Sequence, residues 1–130
     1  MSLQSNLALV GYGKMGRLIE QLAPEYDFTV TGRLDEYNNI DGAGIAALRN
    51  VGVAIEFSTP ETAPANLEKL AQARIQAVTG TTGWLEHLPA VERAVNQAGT
   101  GLVWSPNFSV GVAVFRKLTA LAAELMRDQK

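Results

Sequence analysis

The stretch "LALVGYGKMGR", residues 7–17, constrains the fold of this chain more than any other. Leu7, Ala8, Leu9 and Val10 form an apolar run with no polar face, the pattern of a strand buried on both sides in a parallel sheet. Gly11, Gly13 and Gly16 follow at once. Met15, Leu18, Ile19 and Leu22 then recur at helical spacing, so a helix is expected from near Met15 to just before Pro24. A buried strand that turns through closely spaced glycines into a helix opens a βαβ series.

The rest of the chain continues that series. "DFTVTG", residues 27–32, reads as a second strand, and "VGVAIEF", residues 51–57, as a third. Between them lies a long polar connection with one short helix expected near its end. Pro64 suits the first turn of a helix carrying Leu67, Leu70 and Ala71. "IQAVTG", residues 75–80, is a fourth strand. Trp84, Leu88, Val91, Val95 and Ala98 step by four, three, four and three, which marks one helix face. Pro89 fits that helix only within its first turn. "GLVW", residues 101–104, is a fifth strand, and Val114, Leu118, Leu121 and Leu125 form the stripe of a last helix. Strands alternating with helices predict an α/β, doubly wound (Rossmann-type) parallel sheet, and the order expected is 3-2-1-4-5 in a single domain. In such sheets ligands bind beyond the carboxyl ends of the strands, so the residues just after each strand carry the information on function.

Composition removes several classes. The chain has 130 residues, enough for one domain with a real core. Its net charge of −2 argues against nucleic acid or an anionic membrane as a main partner. With no cysteine, disulfides, thiolate catalysis and Cys-based zinc sites are out, and no metal site is expected. No apolar segment approaches membrane-spanning length and no secretory signal opens the chain, so the cytoplasm is the expected compartment. Residues 1–6 are expected to be a disordered or tag-derived start, with the domain spanning 7–130.

Gly11-Tyr12-Gly13-Lys14-Met15-Gly16 matches G-x-G-x-x-G. Gly11 permits the tight turn, Gly13 lets a pyrophosphate meet the backbone, and Gly16 lets the helix lie close to the sheet. The N–H groups at the helix start face an anion, and Lys14 adds a charge. The same turn can be a plain strand-to-helix connection; its place in a βαβ series favours a dinucleotide. An acidic residue about 20 positions beyond the turn binds the adenosine ribose in such sites, and Asp35 is the choice, with Glu36 beside it. A carboxylate there repels a 2′-phosphate, which favours NADH. Arg33 leaves NADPH as the alternative, since a guanidinium accepts that phosphate; it also reads as a solvated charge at a strand end.

Three further strand ends carry small hydroxyl residues, glycine or proline: Phe57-Ser58-Thr59-Pro60, Gly80-Thr81-Thr82-Gly83-Trp84, and Ser105-Pro106-Asn107-Phe108-Ser109-Val110-Gly111. Each alone is ordinary turn chemistry; together they converge on the expected ligand edge. Here the chain resembles dihydrodipicolinate reductase, the lysine and diaminopimelate pathway enzyme. "GYGKMG", "EFSTPET", "VTGTTGW" and "SPNFSVGVAVF" occur in that family's order and spacing, and the likeness runs from about Leu7 to Met126. The resemblance implies that Gly80, Thr81 and Thr82 meet the nicotinamide half of the cofactor, with Thr82 also a candidate substrate contact. It implies that Ser105, Pro106, Asn107 and Phe108 close over the nicotinamide, that Phe57 and Ser58 line the cofactor, and that Asp35 is the ribose ligand. Glu36 stands where some relatives carry an arginine that accepts NADPH, which again favours NADH.

The resemblance also implies a two-domain enzyme that moves a hydride from NAD(P)H to a cyclic unsaturated dicarboxylic acid. Its second domain carries a His-His-Arg-His run, a following lysine and a Ser-Gly-Thr segment, none of which occurs in this chain. His87, the one histidine, reads as a solvated residue near a helix start. No catalytic residue is therefore assigned, and the expectation is a cofactor domain without its substrate domain, inactive alone. Homo-oligomerisation stays open. The alternatives are a cofactor domain of the aspartate or homoserine dehydrogenase kind, which "TGTTGW" and "SPNFSVGV" count against, and a redox-sensing NADH-binding module, for which no basic DNA-reading helix is present.

Overall fold

The computed structural model of the chain describes residues 6–127. The expected loose start at 1–6 lies outside the described residues except at Asn6, where it is corrected: Asn6 opens the first strand, nearly buried, and its side-chain amide donates to the Asn50 carbonyl at 2.8 Å.

Five parallel strands form one sheet: β1 (Asn6–Val10), β2 (Thr29–Leu34), β3 (Val53–Glu56), β4 (Gln76–Thr79) and β5 (Leu102–Trp104). Between them run α1 (Lys14–Leu22), α2 (Ala43–Ala47), α3 (Ala63–Gln72) and α4 (Leu88–Ala98); α5 (Val110–Met126) follows β5. Short 3-10 turns precede β2, α2 and α4. Pro64 and Pro89 sit in the first turns of α3 and α4, where a missing N–H costs nothing. Gly99 ends α4 in the left-handed conformation that glycine accepts most readily.

The α/β, doubly wound class is as expected, but the strand order is β2-β1-β3-β4-β5 rather than 3-2-1-4-5. β3 pairs with β1, from Leu7 opposite Val53 to Val10 opposite Glu56, and β2 is an edge strand. The composition of the strands explains the difference. Thr29, Thr31 and Arg33 of β2 are exposed, as an edge allows, whereas Ala54 and Glu56 of β3 are wholly buried. Winding therefore reverses between β1 and β3, the place where sheets of this class take their ligands.

The two faces are covered unequally. One carries Ala8, Val10, Leu34, Ile45, Ala54, Leu67, Leu70, Trp84 and Val91, contributed by the sheet with α2, α3 and α4. The other carries Leu7, Leu9 and Ala23 with Ile19, Phe28, Val53 and Ile55, beneath α1 and the turn after it. Across this second face Leu9, Ile55, Val78 and Val103 lie in register, and exposure rises from 1% at Leu9 to 57% at Val103 as the cover from α1 runs out.

Two helices form as expected but leave much of their apolar stripes exposed. Met15, Leu18 and Leu22 are each about two-fifths exposed, so α1 meets the sheet through Gly16 and Ile19 instead. A Cβ on Gly16 would fall 2.5 Å from the Gly11 carbonyl oxygen, which shows how closely this helix approaches. The α5 stripe forms on a helix as expected, yet Val114, Leu118, Leu121 and Leu125 are all exposed.

Candidate functional site

The turn after β1 is built by backbone geometry. Gly11 has φ +92°, and its N–H donates to the Leu34 carbonyl at 2.8 Å, joining the turn to the end of β2. A Cβ on Gly11 would stand 2.0 Å from the Phe57 carbonyl oxygen, so only glycine fits. Gly13 differs: a Cβ there would meet nothing within 4 Å. Gly13 is the N-cap of α1, and no side chain among the described residues caps the helix. Lys14 and Met15 are exposed at its first turn. Uncapped N–H groups beside open space, at the positive end of a helix, suit an anionic group close to the backbone. The glycine turn thus fits a dinucleotide's pyrophosphate.

At the end of β2, Asp35 already has work within the chain. Its Oδ1 accepts from the N–H groups of Tyr37 at 2.9 Å and Asn38 at 3.0 Å, while Asn38 Oδ1 accepts from the Asp35 N–H at 2.8 Å. One carboxylate oxygen shapes the loop and the other has no hydrogen-bond partner among the described residues. Glu36 is exposed beside it.

A charged cluster lies between this strand end and the turn. Glu20 of α1 accepts the Tyr12 hydroxyl on Oε2 and the Arg33 Nε–H on Oε1, the latter at 2.5 Å. Arg33 Nη2 reaches the same Oε1, and the Arg17 guanidinium stands 4.8 Å from the centre of the Tyr12 ring. Arg33 holds the Glu20 carboxyl below the usual carboxylate range, assisted by Tyr12. In return Glu20 pushes the Tyr12 hydroxyl up. Sequence reading weighed Arg33 alone; the Glu20 and Arg17 contacts came from helical turns that no local motif marks.

The ends of β3 and β4 meet over a buried carboxylate. Glu56 is 0% exposed. Its Oε1 accepts from Ser58 N at 2.9 Å and from the Ser58 hydroxyl, and its Oε2 accepts from Thr79 Oγ1 at 2.5 Å. Thr79 Oγ1 accepts from Thr81 N at 3.2 Å, and Thr81 Oγ1 accepts from Ser58 N at 2.9 Å. Thr62, just before α3, and Asn66 within it extend the network to Ser58 at 3.0 and 3.4 Å. Three donors satisfy a carboxylate that burial would otherwise penalise heavily. The sequence analysis missed Glu56, although a lone acid in an apolar strand run is a signal, because acids are rarely buried without partners.

The remaining motifs join the same edge. Phe57 N donates to the Val10 carbonyl at 2.8 Å, and a Cβ on Gly80 would lie 2.2 Å from the Phe57 ring. Trp84 is buried, and its indole N–H donates to the Thr81 carbonyl at 2.8 Å, which fixes the loop holding the exposed Thr82. Ser105 N donates to the Thr79 carbonyl at 3.3 Å, and the Ser105 hydroxyl donates to the Asn107 carbonyl at 2.8 Å. Pro106, Asn107 and Phe108 are exposed. Asn107 Oδ1 accepts from Ser109 N at 2.8 Å, and Ser109 caps α5 through Val112 N. Trp84 and Trp104 meet edge to face, with centroids 6.5 Å apart. The structure thus brings all the motif residues named from the sequence to the carboxyl ends of the strands.

His87 is exposed and lies 3.3 Å from Glu86. Among the described residues, no group of three or more His, Cys, Asp or Glu side chains can hold a metal ion, and no helix is long and apolar enough to cross a membrane.

Comparison with known proteins gives a consistent result. The family described as dihydrodipicolinate reductase, N-terminus, matches residues 5–108. A 4-hydroxy-tetrahydrodipicolinate reductase of Christiangramia forsetii is 33% identical over 122 residues, covering 94% of this chain and 50% of that protein. The enzyme of the same name from Streptomyces coelicolor is 40% identical over 86 residues, 63% of this chain and 34% of the relative. That of Coxiella burnetii is 32% identical over 121 residues, 89% of this chain and 48% of the relative. The chain spans about half the length of the curated relatives it matches along most of its own length.

Proposed function

This chain belongs to the dihydrodipicolinate reductase family, by that family's N-terminal domain, and on that premise we propose that its sheet edge binds a nicotinamide dinucleotide, NADH in preference to NADPH. The observation that carries the reading is Gly13: a helix start whose N–H groups are uncapped, at a glycine where a Cβ would meet only open space. Gly11 and Gly16 keep that turn close to the sheet, and Tyr12, Lys14 and Met15 complete it. Asp35 offers its free carboxylate oxygen to the ribose hydroxyls. Gly80, Thr81 and Thr82, with Ser105, Pro106, Asn107 and Phe108, form the far end of the shelf, where the nicotinamide ring lies; Phe57 and Ser58 line its middle.

When bound, the dinucleotide supplies a hydride. The whole protein's reaction, read from its relatives, is reduction of 4-hydroxy-tetrahydrodipicolinate, with Thr82 meeting substrate. This chain's contribution is to hold and orient the donor. Its Glu56 network fixes the β3 and β4 loops against each other, and Trp84 fixes Thr81. Proton delivery and the grip on the substrate's carboxylates fall to a second domain in this reading.

The test uses the two tryptophans. Both flank the far end of the shelf, so titration with NADH quenches tryptophan emission saturably, and calorimetry gives the same Kd. A flat response in both measurements would overturn the reading. With substrate added, the 130-residue chain is expected to consume no NADH above background, because orientation and general acid catalysis contribute many orders of magnitude together. Robust turnover would refute the division of labour.

A further inference from the structure

We propose that Glu20 determines which dinucleotide this site accepts, by withholding Arg33 from the adenosine 2′ position. The inference rests on the dinucleotide reading above and adds the residue that sets its specificity. Arg33 is opposite Leu9 on edge strand β2, two residues before Asp35. The residue between them, Leu34, accepts the hydrogen bond from the Gly11 N–H at 2.8 Å, so this strand end is fastened to the glycine turn. A guanidinium here stands at the adenosine end of the shelf.

NADPH differs from NADH by one phosphate on the adenosine ribose. That group is recognised by a free basic fork, and Arg is the residue best shaped for it. In this chain the fork is not free. Nε and Nη2 of Arg33 both point to Glu20 Oε1, and the other oxygen of Glu20 accepts the hydroxyl of Tyr12, a residue of the turn itself. The carboxylate therefore pairs with Arg33 and holds its Nε and Nη2 toward α1. Asp35, beyond it, repels a second anion. Selection against the 2′-phosphate thus has two parts: a repelling acid on the loop, and an attracting base held away by an acid on the helix.

The experiment measures Kd for NADH and for NADPH by tryptophan quenching on the 130-residue chain. It compares the unmodified protein with Glu20→Ala, Arg33→Ala and the double variant, and thermal melting checks that each folds. Glu20→Ala is expected to lower the NADPH-to-NADH Kd ratio about tenfold, the scale of one charge-assisted contact. The double variant returns the ratio to that of the unmodified chain. Arg33→Ala alone does not lower the ratio, because Arg33 is already withheld and the carboxylate it leaves unpaired repels the 2′-phosphate, and this arm stands even if Glu20→Ala does not fold. An unchanged ratio in a folded Glu20→Ala would overturn the proposal. So would a gain that persists in the double variant, which would mark a general charge effect, or a fall in the ratio in Arg33→Ala alone. Failure of every variant to bind either dinucleotide would overturn the dinucleotide reading as well, and is distinguishable because no ratio then exists.

Discussion

Gly11 and Gly13 are two residues apart and are glycine for different reasons. At Gly11 the chain itself forbids a side chain: φ is +92° and the Phe57 carbonyl fills the space. At Gly13 the chain leaves the space open. Gly11→Ala is therefore expected to destabilise the fold by more than about 2 kcal/mol, combining backbone strain with overlap. Gly13→Ala is expected to keep stability within about 0.5 kcal/mol while weakening NADH at least tenfold, its methyl taking the volume of a phosphate oxygen. Chemical denaturation and NADH titration on each variant separate the two effects; equal loss of stability in both would refute the distinction. The spacing of these glycines was legible in the sequence because the turn is local. Glu20, Arg17 and Arg33 were not legible as a cluster, since a helix face and a strand end had to be folded together before they touched.

The elements were legible in kind and less so in arrangement. All five strands and the four longer helices stand where hydrophobic periodicity puts them, with β2 displaced to Thr29–Leu34 from the expected 27–32. Their order was not, because a run such as Val53–Glu56 states that it is buried without stating between which neighbours. The polar alternation of β2 was the available clue to an edge. Glu56 shows how two elements are joined once neighbours are known. Its carboxylate ties the end of β3 to Thr79 on β4 and to Ser58 on the following loop. Glu56→Ala leaves Thr79 Oγ1 without its acceptor and opens a buried space, with an expected cost of about 2–3 kcal/mol in urea denaturation. Glu56→Gln retains one acceptor oxygen and is expected to cost about half as much. Identical midpoints for the two variants would show that the intact carboxylate, not the volume it fills, is what matters.

At the scale of the whole molecule, the chain exposes 8771 Å². A compact monomer of 13.9 kDa exposes about 6,700 Å² by the usual scaling with mass. Exposed apolar side chains contribute to the excess. α5 displays Phe115, Leu118, Leu121 and Leu125, and among the described residues the sheet face nearest β5 is without a helix above it. The folded chain is therefore expected to enhance the emission of an anilinonaphthalene sulfonate dye while keeping its near-ultraviolet circular dichroism, and Leu118→Ser with Leu121→Ser is expected to reduce that emission. Dye emission no greater than that of a compact protein of equal size would contradict the exposed surface. The unequal shelter along Leu9, Ile55, Val78 and Val103 has a consequence in time as well as in space. Backbone beneath α1 is expected to exchange its amide hydrogens only when the whole domain opens, whereas β5, three residues bonded along one side, is expected to exchange by local opening. The glycine turn is then the steadier end of the shelf and the loop of Ser105 to Phe108 the looser one. On the proposed dinucleotide reading, a long ligand is expected to be caught first by its adenosine end and, on reaching the other end, to slow amide hydrogen exchange in β5.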